Sequence, residues 1–265
     1  MQSPNGGQAE LHPIKYLEPN SQNTKALSAE KNVALIILNS PIEDVNYFHR
    51  LYEHASFRLC ADGGANRLYN AVTTLSNDDA KSNSEMSPDM IHGDLDSLHD
   101  GVRAHYEQLG VKISYDPDQY STDFGKAIKK VVELMPEVHE ILIHGSLGGR
   151  VDQGIGLLHE LYREQKIRHP GIRFWLFTEA SVSVILQPGV TTLHTPLNQG
   201  LIKRNMGLLP IYGPARVSMS GVEWPVEDWL SNMGGEVSTS QHITADSISI
   251  KTDMDVLFTV ERAGR

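Results

Sequence analysis

Phe57-Arg58-Leu59-Cys60-Ala61-Asp62-Gly63-Gly64-Ala65-Asn66 reads as a short apolar strand that runs into an acidic residue and two glycines at the start of a helix. The run does not alternate between apolar and polar residues, so both faces of the strand are expected to be covered, as in a parallel sheet. The same arrangement recurs along the chain. VALIILN from 33, MIHGD from 90, VKISYD from 111, EILIHG from 140 and IRFWLFT from 172 are strand candidates. Helical spacing separates them: Leu98, Val102, Tyr106 and Leu109 before Gly110, then Phe124, Ala127, Ile128, Val131 and Val132, then Val151, Ile155, Leu158 and Tyr162 on one side of a helix after Gly148-Gly149. Ser40-Pro41 is read as opening the first helix, because proline tolerates the first helical turn. Strands alternating with helices predict an α/β fold with a mostly parallel sheet flanked by helices.

After Glu179 the texture changes. SVSVILQPG, TTLHTP, GLLPIYG, ARVSMSGVEW, GEVSTSQH, SISIKTD and DVLFTVE are short β-prone pieces punctuated by Gly, Pro and Asn, with no room for a helix of normal length. This predicts a C-terminal antiparallel β-sandwich domain over 180–265, after an α/β domain over 31–179. Residues 1–30 read as a polar tail, and Ser76 to Pro88 as a loop too polar to pack; both are expected to be peripheral.

With 40% of its 265 residues hydrophobic, the chain can bury a sizeable core, which excludes wholesale disorder. The longest apolar run, Val33 to Leu38, falls well short of the about 18 residues that a membrane span needs. The first thirty residues lack the apolar stretch of a secretory signal. Cys60 is the only cysteine, so neither an intrachain disulfide nor a cysteine-rich zinc site can form, and a reducing, cytoplasmic setting is expected. The formal net charge of -10, with no basic run, argues against nucleic acid and anionic lipid as partners.

In an open parallel sheet, ligands bind at the carboxyl ends of the strands. These ends, and the helix start that follows one of them, carry small, acidic or phosphate-binding residues: Asp62-Gly63-Gly64 with Asn66, Asp94-Leu95-Asp96-Ser97, Asp116-Pro117-Asp118-Gln119, Thr122-Asp123 leading to Lys126, and Gly148-Gly149-Arg150-Val151-Asp152-Gln153. Asp94 and Asp96 are two apart, which in an extended segment points both carboxylates to one side, where they can share a hard cation such as magnesium. The glycine pairs allow backbone amides to approach an anion. Lys126, one turn after Thr122, can face a phosphate, and the guanidinium of Arg150 can chelate phosphate oxygens. Taken together, these strand ends describe a magnesium-nucleotide site. His92, His144 and Cys60 lie inside strand candidates and read as core or supporting residues. The Gly-Lys-Ser/Thr pattern and the dinucleotide Gly-x-Gly-x-x-Gly are both absent.

The segments Ala61 to Tyr69, Gly93 to Ser97, Ser121 to Phe124 and Leu147 to Gln153 resemble, in order, motifs of the thiamine pyrophosphokinase family. Leu186 to Gly189, Gly207 to Pro210, Gly221 to Trp224 and Val237 to Ser240 look like the β domain of that family, so the resemblance spans about residues 33 to 260. It implies pyrophosphoryl transfer from ATP to the thiamine hydroxyl, giving thiamine diphosphate and AMP, with magnesium and with a homodimer whose active sites lie between protomers. By motif position it implies catalytic roles for Asp94, Asp96, Asp123 and Asp152, with metal at Asp94, Asp96 and Asp123. Nucleotide contacts would come from Asp62, Asn66, Gln119, Thr122, Lys126, Arg150 and Gln153, and thiamine contacts from Trp224, Ser238 and Gln241. Tyr120 stands where many relatives have Asp, and Gln241 where Asn usually follows Ser-Thr-Ser. The residues also allow a magnesium-dependent phosphohydrolase or nucleotide-sugar transferase built on Asp94 and Asp96, or a non-enzymatic nucleotide-sensing module.

Overall fold

A computed structural model describes residues 8–19, 30–75 and 86–264. Two compact units result, one of residues 19–179 and one that joins residues 1–18 to 180–265. The first described strand, β1 (Gln8–Leu11), belongs to the second unit. The first unit then runs β2 (Glu30–Ile37), α1 (Val45–His54), β3 (Ala55–Ala61), α2 (Gly64–Leu75), β4 (Met90–Gly93), α3 (Asp100–Gln108), β5 (Lys112–Tyr115), α4 (Asp123–Leu134), β6 (Glu140–His144), α5 (Val151–Arg163) and β7 (Arg173–Phe177).

Its six strands lie in the order β7-β6-β2-β3-β4-β5, every pair parallel. Val33 to Ile37 at the centre of the sheet are fully buried, as are Ile141 to Ile143 beside them. Covering on both faces is why these strands read as continuous apolar runs, and each large side chain among them stabilises the fold by roughly 1.5–3 kcal/mol. The chain steps outward from β2 to β5, then returns to the other side of β2 for β6, so the sheet has a topological switch point beside β2. Helix α4 packs on β2, β3 and β4, which brings its N-terminus to their carboxyl ends.

Two helix expectations need correction. The first helix starts at Val45, not at Ser40-Pro41, because Asp44 caps it by accepting the Tyr47 amide at 3.1 Å. In α5, Val151 and Ile155 do not face the core; they are 73% and 63% exposed. The cause lies at Gly154, where a Cβ would come within 2.7 Å of the Leu147 carbonyl oxygen. That close approach turns the Gly154 and Leu161 face inward and leaves the 151/155 face outside.

The second unit contains β8 (Ser181–Leu186), β9 (Gly189–His194), β10 (Ile202–Leu209), β11 (Ala215–Ser220), β12 (Val226–Ser231), β13 (Ser238–His242), β14 (Ser247–Thr252) and β15 (Val256–Arg262). One run of antiparallel neighbours is β13-β10-β15-β8 and the other is β9-β14-β11-β12. Alternating burial along β11 and β14, with Ala215, Val217, Met219, Ile248 and Ile250 inside, is the half-covered pattern of an antiparallel domain. Strand β12 was not evident from the sequence because Val226-Glu227-Asp228-Trp229-Leu230-Ser231 is mostly polar or exposed.

The polar-tail expectation fails for residues 8–18. Strand β1 extends the second sheet by pairing parallel with β9, Leu11 opposite Leu193, and Leu11, Ile14, Tyr16 and Leu17 are buried. Four apolar anchors spaced among polar residues suffice to dock a segment whose average composition is polar. The rest of the expected tail, and positions 76–85 of the expected polar loop, lie outside the described residues. Met86 and Pro88, at the end of that loop, are buried. Among the described residues, no helix is long and apolar enough to cross a membrane.

Candidate active site

Three carboxylates meet at the ends of β3 and β4. One oxygen each from Asp62, Asp94 and Asp96 lies within 4.8 Å of the others. Asp62 follows β3 with φ 42°, and Leu95, between the other two, has φ 60°. The segment is therefore not extended, as the sequence reading assumed; a left-handed residue folds Asp94 and Asp96 back toward each other. Such backbone costs roughly 1–3 kcal/mol for a residue with a Cβ and persists only where surrounding contacts hold it. Here Asn66 holds it: its side chain donates to the Ser97 carbonyl at 2.7 Å and accepts the His99 amide at 3.1 Å. Asn66 thus fastens the 97–99 loop to α2 and is a positioning residue. The Asp62 carboxylate accepts the Ser97 amide at 3.2 Å through one oxygen, while Oδ1 is buried with no hydrogen-bond partner.

Glycines let these elements approach. A Cβ on Gly64 would lie 2.1 Å from the Ile37 carbonyl oxygen, so α2 can start against the end of β2 only with glycine there. A Cβ on Gly93 would lie 3.1 Å from the Asp62 Cβ and 3.4 Å from the Asp123 Oδ1, which places Asp123 beside the trio.

Lys126 is not a solvated helix lysine. It is buried, its Nζ donating to the Asp94 Oδ2 at 2.8 Å and lying 3.8 Å from the Asp123 Oδ1. Burial disfavours its charge, but the hydrogen bond to Asp94 and the neighbouring carboxylates outweigh burial and raise its pKa. The same hydrogen bond holds Asp94 below the ordinary carboxylate range. Asp123 goes the other way: burial, then the charges of Asp94 and Asp62, push it up to about 6. Burial also raises Asp62. Four carboxylates against one ammonium leave an excess of negative charge that a divalent cation would offset. Oxygen donors only, one of them buried without a partner, suit a hard ion such as magnesium.

The remaining first-unit candidates are arranged differently. Thr122 caps α4, its Oγ1 accepting the Gly125 amide at 3.1 Å. Gln119 and Gln153 are exposed. Arg150 and Asp152 are also exposed and form a bidentate pair with each other, at 2.5 and 3.1 Å, rather than joining the carboxylate group. His92 is buried, with Nδ1 3.1 Å from the Ser114 carbonyl oxygen and Nε2 3.9 Å from the Asp116 Oδ2, and burial lowers its pKa. Cys60 is buried and its thiol is pushed up by burial, in keeping with an inert core residue.

In the second unit, Trp224, Ser238 and Gln241 line one hollow of about 450 Å³ together with Met219, Val226 and Trp229. Gln241 is buried; its amide accepts the Trp224 N–H at 3.0 Å and donates to the Trp224 carbonyl at 2.7 Å. This pair of hydrogen bonds to the backbone fixes Trp224, a residue 52% exposed whose ring is tilted against that of His242 at 5.0 Å. Trp224 is therefore a presented aromatic face, not core. Trp229 also borders the hollow and donates from Nε1 to Glu236 at 2.6 Å.

Comparison with known proteins gives a consistent result. Residues 48–174 match the family model described as thiamin pyrophosphokinase, catalytic domain, and residues 190–257 match the one described as thiamin pyrophosphokinase, vitamin B1 binding domain. The chain is 33% identical to thiamine pyrophosphokinase 1 of Arabidopsis thaliana, over 94% of this chain and 92% of that one. It is 27% identical to the thiamine pyrophosphokinase of Saccharomyces cerevisiae, over 91% and 90%. Its fold matches the solved thiamin pyrophosphokinase of Candida albicans with TM-score 0.79 at 24% identity, covering 99% of this chain and 95% of that one.

Proposed function

The chain belongs to the thiamin pyrophosphokinase family of enzymes, and on that premise we propose that its two sites divide the reaction between them, ATP and magnesium at the carboxylate cluster and thiamine at the Trp224 hollow. The activity is transfer of a pyrophosphoryl group from ATP to the thiamine hydroxyl. The observation that carries the assignment of sites is the group of Asp62, Asp94, Asp96 and Asp123 around buried Lys126.

Asp94 and Asp96, with Asp62 beside them, would hold magnesium, which when bound supplies charge neutralisation to the polyphosphate. Lys126 fixes the Asp94 carboxylate and keeps it ionised. Asp123, which burial and the charges of Asp94 and Asp62 raise to about 6 in the metal-free site, lies beside the trio and is our candidate to accept the thiamine hydroxyl proton. Arg150, at the exposed start of α5, would meet the nucleotide by exchanging Asp152 for phosphate oxygens, which frees the Asp152 carboxylate, and Gln153, Gln119 and Thr122 would donate beside it. In the hollow, the Trp224 face suits the cationic thiazolium, an attraction of roughly 0.5–2 kcal/mol, with Ser238 and Gln241 beside it.

We also propose a homodimer, supported by the apolar Val151 and Ile155 exposed on α5, and a cytoplasmic setting, supported by the single buried cysteine. The decisive experiment incubates the protein with magnesium, ATP and thiamine and measures AMP against ADP. AMP formed in step with thiamine diphosphate is expected; ADP alone, or no turnover of nucleotide, would overturn the reading. Sedimentation of the same sample tests the dimer.

A further inference from the structure

A second cluster of metal-binding side chains lies in the second unit, where β1 joins β9. The register that sets Leu11 opposite Leu193 brings the following residues, His12 and His194, side by side, their rings stacked at 4.3 Å and 7°. Glu10 precedes His12 by two residues, so the strand period places both on one face of the pair. One donor atom each from Glu10, His12 and His194 lies within 4.8 Å of the others. Nε2 of His194 is buried without a hydrogen-bond partner and stands 3.7 Å from the Glu10 Oε2. The other ring nitrogen, Nδ1, lies 3.1 Å from the Ser247 Oγ on β14. With Nδ1–H donating to that hydroxyl, Nε2 keeps its lone pair, which is the usual second contact of a metal-ligating histidine.

We propose that Glu10, His12 and His194 form a zinc(II) site that clips the β1 segment to β9. Two imidazoles and one carboxylate form a donor set suited to zinc, whereas magnesium prefers oxygen donors only. Ligand atoms of a tetrahedral site stand about 3.3 Å apart, given zinc–nitrogen distances of about 2.0–2.1 Å. The present spacing closes to that by rotation of the His12 and Glu10 side chains, both on exposed residues. A hollow of about 340 Å³ bordered by His12, His194, Lys15, Glu18 and Gln199 leaves the fourth position open to water. The carboxylate cluster and this site would then sort two divalent ions by donor type, and the site does not depend on the assignment of ATP or thiamine.

The test is calorimetric titration of the full chain with zinc chloride, in excess magnesium so that the carboxylate cluster is filled. Because the chain has 12 histidines, the comparison is between wild type, His12→Ala and Glu10→Gln. Wild type is expected to bind one zinc that His12→Ala binds about 100-fold more weakly or not at all, and zinc should raise the wild-type melting temperature but not that of His12→Ala. Cobalt(II) in place of zinc should give the visible absorption of a four-coordinate nitrogen and oxygen site, lost in His12→Ala. His12 is exposed, so this variant is expected to fold, and its pyrophosphorylating activity with magnesium should be that of wild type. Equal zinc stoichiometry and affinity in wild type and His12→Ala, or no zinc bound by wild type, would overturn the proposal.

Discussion

Replacing Asp123 by Asn should stabilise the protein in the absence of divalent ions, and only above mildly acidic pH. The carboxyl is raised from its ordinary 3.8 to about 6 by burial and by the charges of Asp94 and Asp62. A carboxyl raised in the folded state favours folding while it is protonated; that contribution is complete below 3.8 and is lost as pH climbs through about 6. At 1.36 kcal/mol per tenfold change in proton affinity, the upper limit of the loss is ~3 kcal/mol. The side chain is 43% exposed, so solvent screening reduces this to roughly half. Asp123 also lies in the first turn of α4, where its charge is worth about 0.3–1 kcal/mol that Asn forgoes. A net gain of ~1 kcal/mol remains for Asp123→Asn, or about 2–4 °C in melting temperature. Melts in EDTA at about pH 4 and about pH 8 should show no difference at the first and the full difference at the second. Magnesium should reverse the order, because the ion compensates the charge that Asn lacks. A variant equal to or less stable than wild type at the higher pH, or a difference that does not change with pH, would refute the reasoning.

Asp94→Asn should lower turnover by about two orders of magnitude or more, because the residue neutralises and positions charge, and should also lower the melting temperature, because buried Lys126 loses its charged partner; near-normal turnover at saturating magnesium would remove it from the mechanism. Trp224→Ala should raise the thiamine KM strongly while costing about 1 kcal/mol or less of stability, since half of the residue already faces solvent; thiamine titrations alongside a melt separate that outcome from a packing role. Gly64→Ala should destabilise the first unit by at least ~2 kcal/mol, because its methyl carbon would stand 2.1 Å from a backbone oxygen that cannot yield; a urea titration with an unshifted midpoint would contradict the geometry.

What could be read from the sequence follows from how each feature is encoded. The six parallel strands were legible because double-sided burial writes itself as uninterrupted apolar runs, as in Val33 to Ile37. The docking of residues 8–18 was not, because it rests on Leu11, Ile14, Tyr16 and Leu17 scattered through a polar stretch and on pairing with β9, more than 180 residues away. Strand β12 hid for a related reason: half of it faces solvent, and Asp228 interrupts it with φ 47°. In the site, Asp94 and Asp96 were found by spacing, but the reason given was an extended segment, and Leu95 in the left-handed region shows that a turn brings them together. Asp62 was placed in the pocket by motif, and its distance to Asp94 and Asp96, with its unpartnered Oδ1, makes it the third member of the carboxylate group. Lys126 was read as a phosphate clamp; burial against Asp94 makes it the counter-charge of the carboxylates.

Local strain by itself does not mark this site, because among the described residues three that are not glycine have positive φ and they differ in their surroundings. Asp228 shares the left-handed backbone of Asp62 and Leu95, yet it is exposed at a register shift between β11 and β12, and its carboxylate is satisfied by the Arg216 Nη1 at 2.8 Å. Its strain bends a strand and nothing more. Around Asp62 and Leu95 the strain coincides with a buried carboxylate oxygen that has no partner, a buried ammonium held by two acids, and a carboxyl raised to about 6. The buried unpartnered oxygen and the raised carboxyl cost folding free energy that ligand-free packing does not offset, whereas Asn66 holds the strained loop and Asp94 offsets the burial of Lys126. A polypeptide retains several such costs in one place when a bound species relieves them together. The conjunction of strain with unpaired and like charge at the β3 and β4 ends supports the proposed placing of magnesium there, independently of the motifs that carry the family resemblance.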